Sequence, residues 1–349
     1  MNITAAELKK NFKLLSPVRS ETYQIGDYGV SATDSDIWVV VPSPLSGLGS
    51  LSLDGKRLSQ VIARMSGQIE ITAEERKVTL KSAKAVVELE AQTIKPQALP
   101  DKPDCWVAFS APEFKKSLSV AVASASPAKS ANFGGVVQLQ TLPHGLENTA
   151  PPGYRIVGTD GLVLTVVTSK TPVPFEFTWL LNLEAAAVVQ IMDGPVIEIG
   201  ETNKYLVLRS GGTVVYASKT TKAYPNFGPL LADMPKLVFG FQPENWLSAV
   251  RTVEPLIDES VDQGTIALHF AEGVVQWKTV GTGSTASDEA EYVQLEPDIF
   301  EPKTVSNLRL TAKYLSGFLS RATGDCTISP RFYKLFYIIK RIINHQMHI

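Results

Sequence analysis

The residue types that most often carry catalysis or bind metals are few in this 349-residue chain, and they do not form a recognisable site. His144 lies in a Pro/Gly loop, His269 in a strand-like run, and His345 and His348 near the C-terminus. The last two could bind a metal together, but a solvated tail is the simpler interpretation. No P-loop, Rossmann glycine motif, HExxH or GxSxG motif is present. We therefore predict no catalytic residues, no metal site and no cofactor.

The cysteines and one pair of acids are also interpreted as structural. Cys105 and Cys326 are too few for a disulfide scaffold and lack metal-ligand spacing, which indicates a reducing compartment. Asp34 and Asp36 could begin a metal loop, but the glycine and distal glutamate of a calcium loop are missing, so we predict a turn between strands. No signal peptide and no run of 18 apolar residues occurs, which predicts a cytoplasmic protein without a membrane partner.

Charge is nearly balanced, with 33 lysines and arginines against 35 aspartates and glutamates and a formal net charge of −2. This balance excludes a uniformly basic nucleic-acid coat protein, but not a protein whose charges are sorted onto different faces. Hydrophobic residues make up 44% of the chain, enough for packed cores and too many for wholesale disorder. The length allows two or three domains.

One structural unit is repeated about three times along the chain. Each copy has a helical segment, strands, a second helical segment and more strands, and the predicted helices span 4–15, 54–65, 112–123, 178–192, 243–257 and 311–322. Thr33 recurs as Thr159, and Ser82 recurs as Ser210, at offsets of 126 and 128 residues. Such constant offsets favour a true repeat over three unrelated domains.

Helix pairs laid on antiparallel strands predict an α+β fold. Proline and loop residues collect at 95–103 and 224–235. We therefore predict three repeated domains, residues 1–100, 101–228 and 229–349.

Several segments, in order, resemble bacterial-type DNA sliding clamps, the β processivity subunits of replicative polymerases. Residues 132–139 (NFGGVVQL) and 155–161 (RIVGTDG) are similar to the family's LNGVLLE and LVATDGHRL strands. Residues 222–227 (KAYPNF) are similar to GxFPDY, and residues 93–100 (TIKPQALP) stand where the family has a Leu-Pro-rich segment. The resemblance covers nearly the whole chain and suggests a divergent or phage-encoded member.

The resemblance implies a head-to-tail homodimer that forms a ring, with helices lining the hole and continuous sheets around the rim. Such a ring would slide on double-stranded DNA without sequence preference, and it would have no catalytic activity. It would hold the DNA polymerase and the clamp loader through short peptide motifs. The alternative is a repeat-built interaction or structural protein with clamp architecture that does not encircle DNA.

A sliding ring needs cations that meet phosphates but not bases. Four of the six predicted helical segments, with their adjoining loops, carry such cations; 178–192 has no Lys or Arg, and 243–257 carries acids beside Arg251. Four of the candidates stand at positions where the family has basic or near-basic residues: Arg19, Lys56, Arg57 and Lys129. The candidate DNA-binding residues are Lys9, Lys13, Arg19, Lys56, Arg57, Arg64, Lys115, Lys116, Lys129, Lys313 and Arg321.

The resemblance also implies a hydrophobic peptide pocket between the second and third domains. Aliphatic walls suit a groove that buries the Leu or Phe anchors of a partner peptide. The family has His-Arg at Leu162-Val163 and a basic residue at Pro229, so the polar rim should differ here. Leu162 and Leu164 could equally be ordinary strand-core residues. The matching positions are Phe133, Thr159, Gly161, Leu162, Val163, Leu164, Pro225, Pro229 and Leu230.

The C-terminal residues depart from the family, which ends in a short strand that completes the pocket. Residues 332–339 are predicted to form that strand, with 340–349 as an irregular extension; an amphipathic helix is the alternative.

Overall fold

A computed structural model describes residues 2–74, 76–95, 97–125, 134–142, 153–161, 164–221, 223–228, 239–257, 265–271, 274–279, 287–291, 293–294, 308–320, 326–329 and 338–342. Six α-helices and 24 strands lie within these ranges.

The first copy of the repeat contains ten of these elements and a 3-10 helix at Pro44–Leu48. In chain order they are β1 (Asn2–Thr4), α1 (Ala5–Leu15), β2 (Thr22–Gly26), β3 (Gly29–Thr33), β4 (Ile37–Val41), β5 (Leu51–Asp54), α2 (Gly55–Arg64), β6 (Gln68–Glu74), β7 (Lys77–Ser82) and β8 (Val86–Thr93).

The second copy has the same order of strands and helices. It consists of β9 (Val107–Ser110), α3 (Ala111–Val122), β10 (Val136–Thr141), β11 (Tyr154–Thr159), β12 (Leu164–Ser169), β13 (Thr178–Asn182), α4 (Leu183–Ile191), β14 (Val196–Glu201), β15 (Tyr205–Ser210) and β16 (Thr213–Ser218).

The third copy adds a two-residue strand and a 3-10 helix at Glu254–Leu256. It consists of β17 (Phe239–Phe241), α5 (Pro243–Val253), β18 (Thr265–Ala271), β19 (Val274–Thr279), β20 (Ser287–Glu291), β21 (Val293–Gln294), β22 (Leu308–Thr311), α6 (Ala312–Leu319), β23 (Cys326–Ser329) and β24 (Ile338–Ile342).

Strand pairing repeats along with the element order, which confirms the predicted repeat. The first copy pairs its strands as β1-β6-β7-β8 and β5-β2-β3-β4, and the second as β9-β14-β15-β16 and β13-β10-β11-β12. The third pairs them as β17-β23-β24 and β22-β18-β19-β20. Each copy therefore has two strand groups, which we call the outer group, beginning with the first strand of the copy, and the inner group, formed by four strands between its two helices.

Two compact units arise from these sheets. One unit holds residues 1–115 and 181–221 around a 12-stranded sheet, and the other holds residues 116–180 and 222–349 around an eight-stranded and a four-stranded sheet. The first unit spans parts of two copies because β4 pairs with β16, with Trp38 opposite Tyr216. The division into three domains at residues 100 and 228 remains a prediction.

A corresponding junction joins the second and third copies, but its polarity differs. β12 pairs with β24 in parallel, with Leu164 opposite Ile338, whereas β4 pairs with β16 in the antiparallel direction. In the described ranges, two strands follow α6, whereas three follow α2 and α4. Neighbouring strands of an antiparallel group alternate in direction. With one described strand fewer after its second helix, the third copy brings β24 to the junction parallel to β12, whereas β16 reaches its junction antiparallel to β4.

Helices α1, α2 and α4 begin at side-chain caps, and the predicted start of the segment 178–192 was wrong. Thr4 Oγ1 accepts from the Glu7 amide at 3.2 Å, as expected for a capping residue. Asn182 Oδ1 accepts from the Ala185 amide at 2.8 Å, so α4 starts there. Residues 178–182, predicted as helix, form strand β13 because Trp179 and Leu181 alternate inward with the period of a strand.

Each unit has an apolar core. In the first unit, α1 buries the predicted stripe of Leu8, Phe12 and Leu15. In the second, Trp246 of α5 is fully buried and meets the Trp277 ring edge-on at a centroid distance of 4.9 Å. The apolar stripes that the spacing predicted therefore face the cores and leave the opposite helix faces to solvent.

Candidate functional site

Helix α1 exposes lysines on the face opposite its buried stripe. Lys9, Lys10 and Lys13 are all exposed. Lys10 Nζ lies 2.7 Å from Asp193 Oδ2, which neutralises it locally. Lys9 and Lys13 form no ion pair with any residue that the structure describes. These two ammonium groups can therefore meet an external anion without first breaking an internal contact.

Helix α2 has a similar face. Lys56, Arg57 and Arg64 are exposed, whereas Leu58 and Ile62 are buried. Arg57 Nε lies 3.7 Å from Asp54 Oδ2, an exposed pair that contributes little stability. Lys56 and Arg64 have no acidic partner within the described ranges. α2 therefore resembles α1 in presenting unpaired cations to solvent.

Arg19 follows α1 and is partly engaged. Its guanidinium Nη2 lies 3.9 Å from Glu184 Oε1 on α4, and its backbone amide donates to Asp34 Oδ2 at 3.0 Å. The Arg19 side chain is 76% exposed, so most of the guanidinium remains accessible. Arg19 thus places a positive charge beside Glu184 of α4, a helix that has no Lys or Arg of its own.

Lys115 differs from the other candidates. Its Nζ donates to the Met192 carbonyl at the end of α4, and the Gln190 amide donates to the Lys115 carbonyl at 2.9 Å. Lys115 therefore ties α3 to α4, and this contact occupies its ammonium group. Lys116, the next residue, is exposed.

The remaining cation candidates are described in part or not at all. Lys313 lies in α6 by its backbone, and its side chain is outside the described set. Lys129 and Arg321 lie outside the described residues. α4 has no Lys or Arg, and α5 exposes Arg251 together with Glu244, so both exceptions seen in the sequence persist.

The β11–β12 hairpin brings three predicted pocket residues together. Thr159 pairs with Leu164 across the hairpin, and Gly161 stands between them with a φ of +92°. The Gly161 amide donates to Thr159 Oγ1 at 3.0 Å, which fixes the turn. Glycine suits the left-handed backbone conformation there. Thr159 and Leu164 are nearly fully buried at the base of the turn.

Residues 224–227 lie across this hairpin. Phe227 is buried in a cluster with Val157, Leu164 and Val166, and Tyr224 packs against it. Tyr224 Oη donates to the Val157 carbonyl at 2.9 Å. Burial raises the pKa of the Tyr224 phenol far above its usual value. Pro225, the fourth described pocket candidate, is half-buried within this segment.

The other pocket candidates cannot be placed in this cluster. Phe133, Leu162, Val163, Pro229 and Leu230 lie outside the described residues. Of the expected C-terminal strand at 332–339, the described residues Ile338 and Ile339 belong to β24, which runs to Ile342 and so includes residues assigned to the extension. Residues 330–337 and 343–349 lie outside the described ranges.

Sequence reasoning missed one charged residue beside this cluster. The Arg155 guanidinium carbon lies 4.8 Å from the Phe227 ring centroid, and its Nε and Nη2 donate to Gln140 Oε1 at 3.1 and 2.8 Å. Burial lowers the pKa of this guanidinium. Alternation along β11 was the available signal, because Arg155, Val157 and Thr159 must share one face of the strand.

Comparison with known proteins gives a consistent result at the level of fold. No family model and no curated protein sequence matches the chain. A sliding clamp from Bartonella birtlesii bound to griselimycin superposes with a TM-score of 0.75 at 15% identity, covering 95% of this chain and 92% of that one. For the DNA polymerase III beta subunit from Thermotoga maritima, the TM-score is 0.74 at 14% identity, with coverage of 94% and 91%.

The DNA polymerase sliding clamp from Bacillus subtilis has a TM-score of 0.72 at 14% identity, and the match covers 94% of this chain and 91% of that one. The chain has the DNA sliding-clamp fold. At these identities the likeness is one of fold, and at that level it confirms both the resemblance and the predicted α+β architecture. The extent of coverage also means that all three copies of the repeat take part in the match.

Within this clamp fold, the β3–β4 hairpin is the counterpart of the β11–β12 hairpin. Asp34 Oδ1 accepts from the amides of Asp36 and Ile37 at 2.8 and 2.9 Å, which confirms the predicted turn. In the part of the chain that the structure describes, no three His, Cys, Asp or Glu residues converge as metal ligands. His144, His345 and His348 lie outside that part. None of the described helices is long and apolar enough to cross a membrane.

Proposed function

We propose that this protein is a non-enzymatic DNA sliding clamp. Two copies would form a head-to-tail ring around duplex DNA and tether a replicative polymerase, its clamp loader and other replication proteins. One observation carries the proposal: a chain with the clamp fold repeats one unit three times and exposes cations on α1 and α2 that have no ion-pair partner among the described residues. This role would place it in the cytoplasm of a bacterium, encoded by the cell or by a phage.

Free strand edges support closure of a ring. In each of the two junctions, the last strand of an inner group pairs with the last strand of the next copy, as β4 does with β16 and β12 with β24. The corresponding strand of the third copy, β20, lies at the edge of its sheet in the described structure. Unpaired edges are templates for pairing with another chain.

Strand β8 is the matching edge at the other end of the repeat. Residues 86–90 pair with β7 on one side and with no described strand on the other, whereas residues 91–93 pair with β5. Val86 at the start of this segment is 60% exposed. A second copy could add its β8 to β20, and the reciprocal contact would close a two-subunit ring.

The distribution of charge supports sliding rather than site-specific binding. Exposed, flexible lysines attract phosphates without reading bases. A closed ring holds DNA by topology, so each cation can contribute weakly and the protein can still stay bound. The near-zero net charge is compatible with this role, because acids elsewhere in the chain can offset the exposed cations of α1 and α2.

Topological trapping tests the proposal without knowledge of the loader. Linear duplex would be incubated with the protein and then ligated into circles. A ring threaded by the DNA would stay on the circles in about 1 M NaCl, where the Debye length is about 3 Å and surface contacts are screened. A single restriction cut should then release it.

Equal loss from circular and linear DNA would contradict encirclement. It would favour the interaction or structural protein with clamp architecture, for which the cation-free α4 and the acid-bearing α5 are the supporting observations. Size-exclusion chromatography with light scattering provides an independent test. A strict monomer at micromolar concentration would argue against a self-sufficient ring.

The peptide-binding part of the proposal rests on the β11–β12 face. The apolar cluster around Leu164 and Phe227, with Thr159 at its end and Pro225 across it, has the chemistry of an anchor site for a Leu or Phe side chain. We infer that partner peptides bind there. Leu164→Ala should weaken binding of a Leu/Phe peptide while topological trapping on DNA persists, and thermal melting would check that the variant, which loses buried apolar contacts, is still folded.

A further inference from the structure

We propose that Arg155 makes the peptide pocket selective for acidic partners, by binding an Asp or Glu side chain that follows the peptide's apolar anchor. The inference rests on the peptide pocket of the proposed function and adds the chemical class of its ligand. Three observations lead to it: the position of Arg155 on the pocket face, the lack of a counter-ion for it among the described residues, and a similar arrangement with a counter-ion elsewhere in the protein.

The position of Arg155 follows from the register of β11. Arg155, Val157 and Thr159 share one face of the strand, and their partners on β12 are Thr168, Val166 and Leu164. That face carries the cluster of Val157, Leu164, Val166 and Phe227. The guanidinium stacks on Phe227, so a ligand anchored at Leu164 would extend along the strand toward a fixed positive charge.

The charge of Arg155 has no acidic counterpart in the described structure. A guanidinium has five N–H donors. Two of those of Arg155 go to a single neutral acceptor, Gln140 Oε1, and no carboxylate lies within ion-pair distance among the described residues. Burying a cation costs free energy unless an anion compensates it. The side chain is therefore oriented and partly desolvated while its charge remains available.

Arg209 shows the completed version of this arrangement. Its guanidinium lies 4.0 Å from the Trp106 ring centroid, and it forms a bidentate pair with Glu198 at 2.7 and 3.0 Å. Glu198 faces Arg209 across two antiparallel strands, just as Gln140 faces Arg155. The amide at Gln140 holds its arginine in a comparable way but supplies no negative charge.

A peptide carboxylate would supply the missing charge. The free donors of Arg155 can bind its two oxygens as charge-assisted hydrogen bonds, which are shorter and stronger than neutral ones. A Lys or Arg at the same peptide position would be repelled, and Asn would keep the shape but lose the charge. Selectivity should therefore depend on the charge that follows the anchor rather than on the anchor itself.

The test measures selectivity rather than affinity alone. Two fluorescein-labelled, C-terminally amidated peptides, Leu-Ala-Leu-Phe-Gly-Asp and Leu-Ala-Leu-Phe-Gly-Asn, would be titrated against the full-length protein by anisotropy. We expect the Asp peptide to bind about tenfold more tightly, as for a partly exposed charge pair. In Arg155→Gln this ratio should fall to about one, while affinity for the Asn peptide stays within about twofold.

Arg209→Gln is the matched control, because it removes the other ring-stacked guanidinium and should leave the tenfold ratio unchanged. Arg155→Lys keeps the charge without the planar fork and should give an intermediate ratio. Thermal melting would check that each variant is folded. A third peptide, the Asn sequence with a free C-terminus, tests the chain end as an alternative source of the carboxylate.

Four results would overturn the assignment. Equal binding of the Asp and Asn peptides to the wild-type protein would show that Arg155 does not select for charge. Equal weakening of both peptides in Arg155→Gln would show that it only supports the pocket. A preference confined to the free C-terminus would transfer recognition to the chain end. If no peptide binds, the pocket itself is refuted, while trapping on DNA would still report separately on the ring.

Discussion

Neutralising the unpaired cations of α1 and α2 should reduce the salt dependence of DNA binding. The variant replaces Lys9, Lys13, Lys56 and Arg64 with glutamine. All four side chains are exposed, and none forms an ion pair with a described residue. Their removal should therefore leave the fold intact and act on DNA contacts alone.

The size of the effect follows from counterion release. Each phosphate contact contributes about 0.9 to the slope of log Kobs against log salt concentration. If all four residues meet phosphates, the slope per bound subunit should fall by about 3.6, and if two do, by about 1.8. Between about 50 and 200 mM salt, wild-type affinity should then fall roughly 10- to 150-fold more than that of the variant.

The assay is anisotropy of a labelled duplex titrated at several salt concentrations. Lys10→Gln serves as the control and should change the slope by less than one contact, because Lys10 is paired with Asp193 at 2.7 Å. Melting temperatures of the three proteins should agree closely. A quadruple variant with the wild-type slope would refute the assignment of these helix faces to DNA.

Other parts of the structure give further predictions. Gly158→Ala should destabilise the protein by at least about 3 kcal/mol in urea unfolding, because the new Cβ would lie 1.8 Å from the Ala121 carbonyl oxygen. Gly47→Ala, with open space around the Cβ, should change stability by less than about 0.5 kcal/mol; similar losses in both would contradict the steric argument. Tyr224→Phe should cost about 1 kcal/mol through loss of the hydrogen bond to the Val157 carbonyl, and an unchanged urea midpoint would count against that bond. The folded pKa of Tyr224 is raised above the unfolded value of about 10, so wild-type stability should be intact below that pH and fall as pH rises above it, less steeply in the phenylalanine variant.

The sequence was most informative where local period and core burial agree. Helix α1 matched its predicted span because a capping threonine precedes an apolar stripe of period 3.6. The prediction for 178–192 failed at its start, since Trp179 and Leu181 satisfy a strand pattern just before the Asn182 cap. Boundaries between a strand and a helix that follow each other directly depend on the cap, and the apolar period alone does not reveal it.

The candidate site was predictable as a set of chain positions but not as a set of contacts. Thr159, Gly161 and Leu164 meet because they belong to one hairpin, which the sequence could indicate. The bond from Lys115 to the Met192 carbonyl joins residues 77 positions apart, and only the packing of α3 beside α4 creates it. The neutral partner of Arg155 likewise depends on the register that places Gln140 opposite it, with no carboxylate from the described residues within ion-pair distance.

The exception presented by α4 has a physical explanation in its burial. Ala185, Ala186, Val188 and Val189 are buried, Ala187 is the one exposed residue of the helix, and Glu184 faces Arg19. A helix buried on most of its circumference has no polar face on which to carry cations, so the expectation of a basic helix does not apply to it. The absence of cations from α4 therefore follows from its burial. A test of DNA binding should therefore target α1 and α2, because each of these helices has an exposed face that carries several cations.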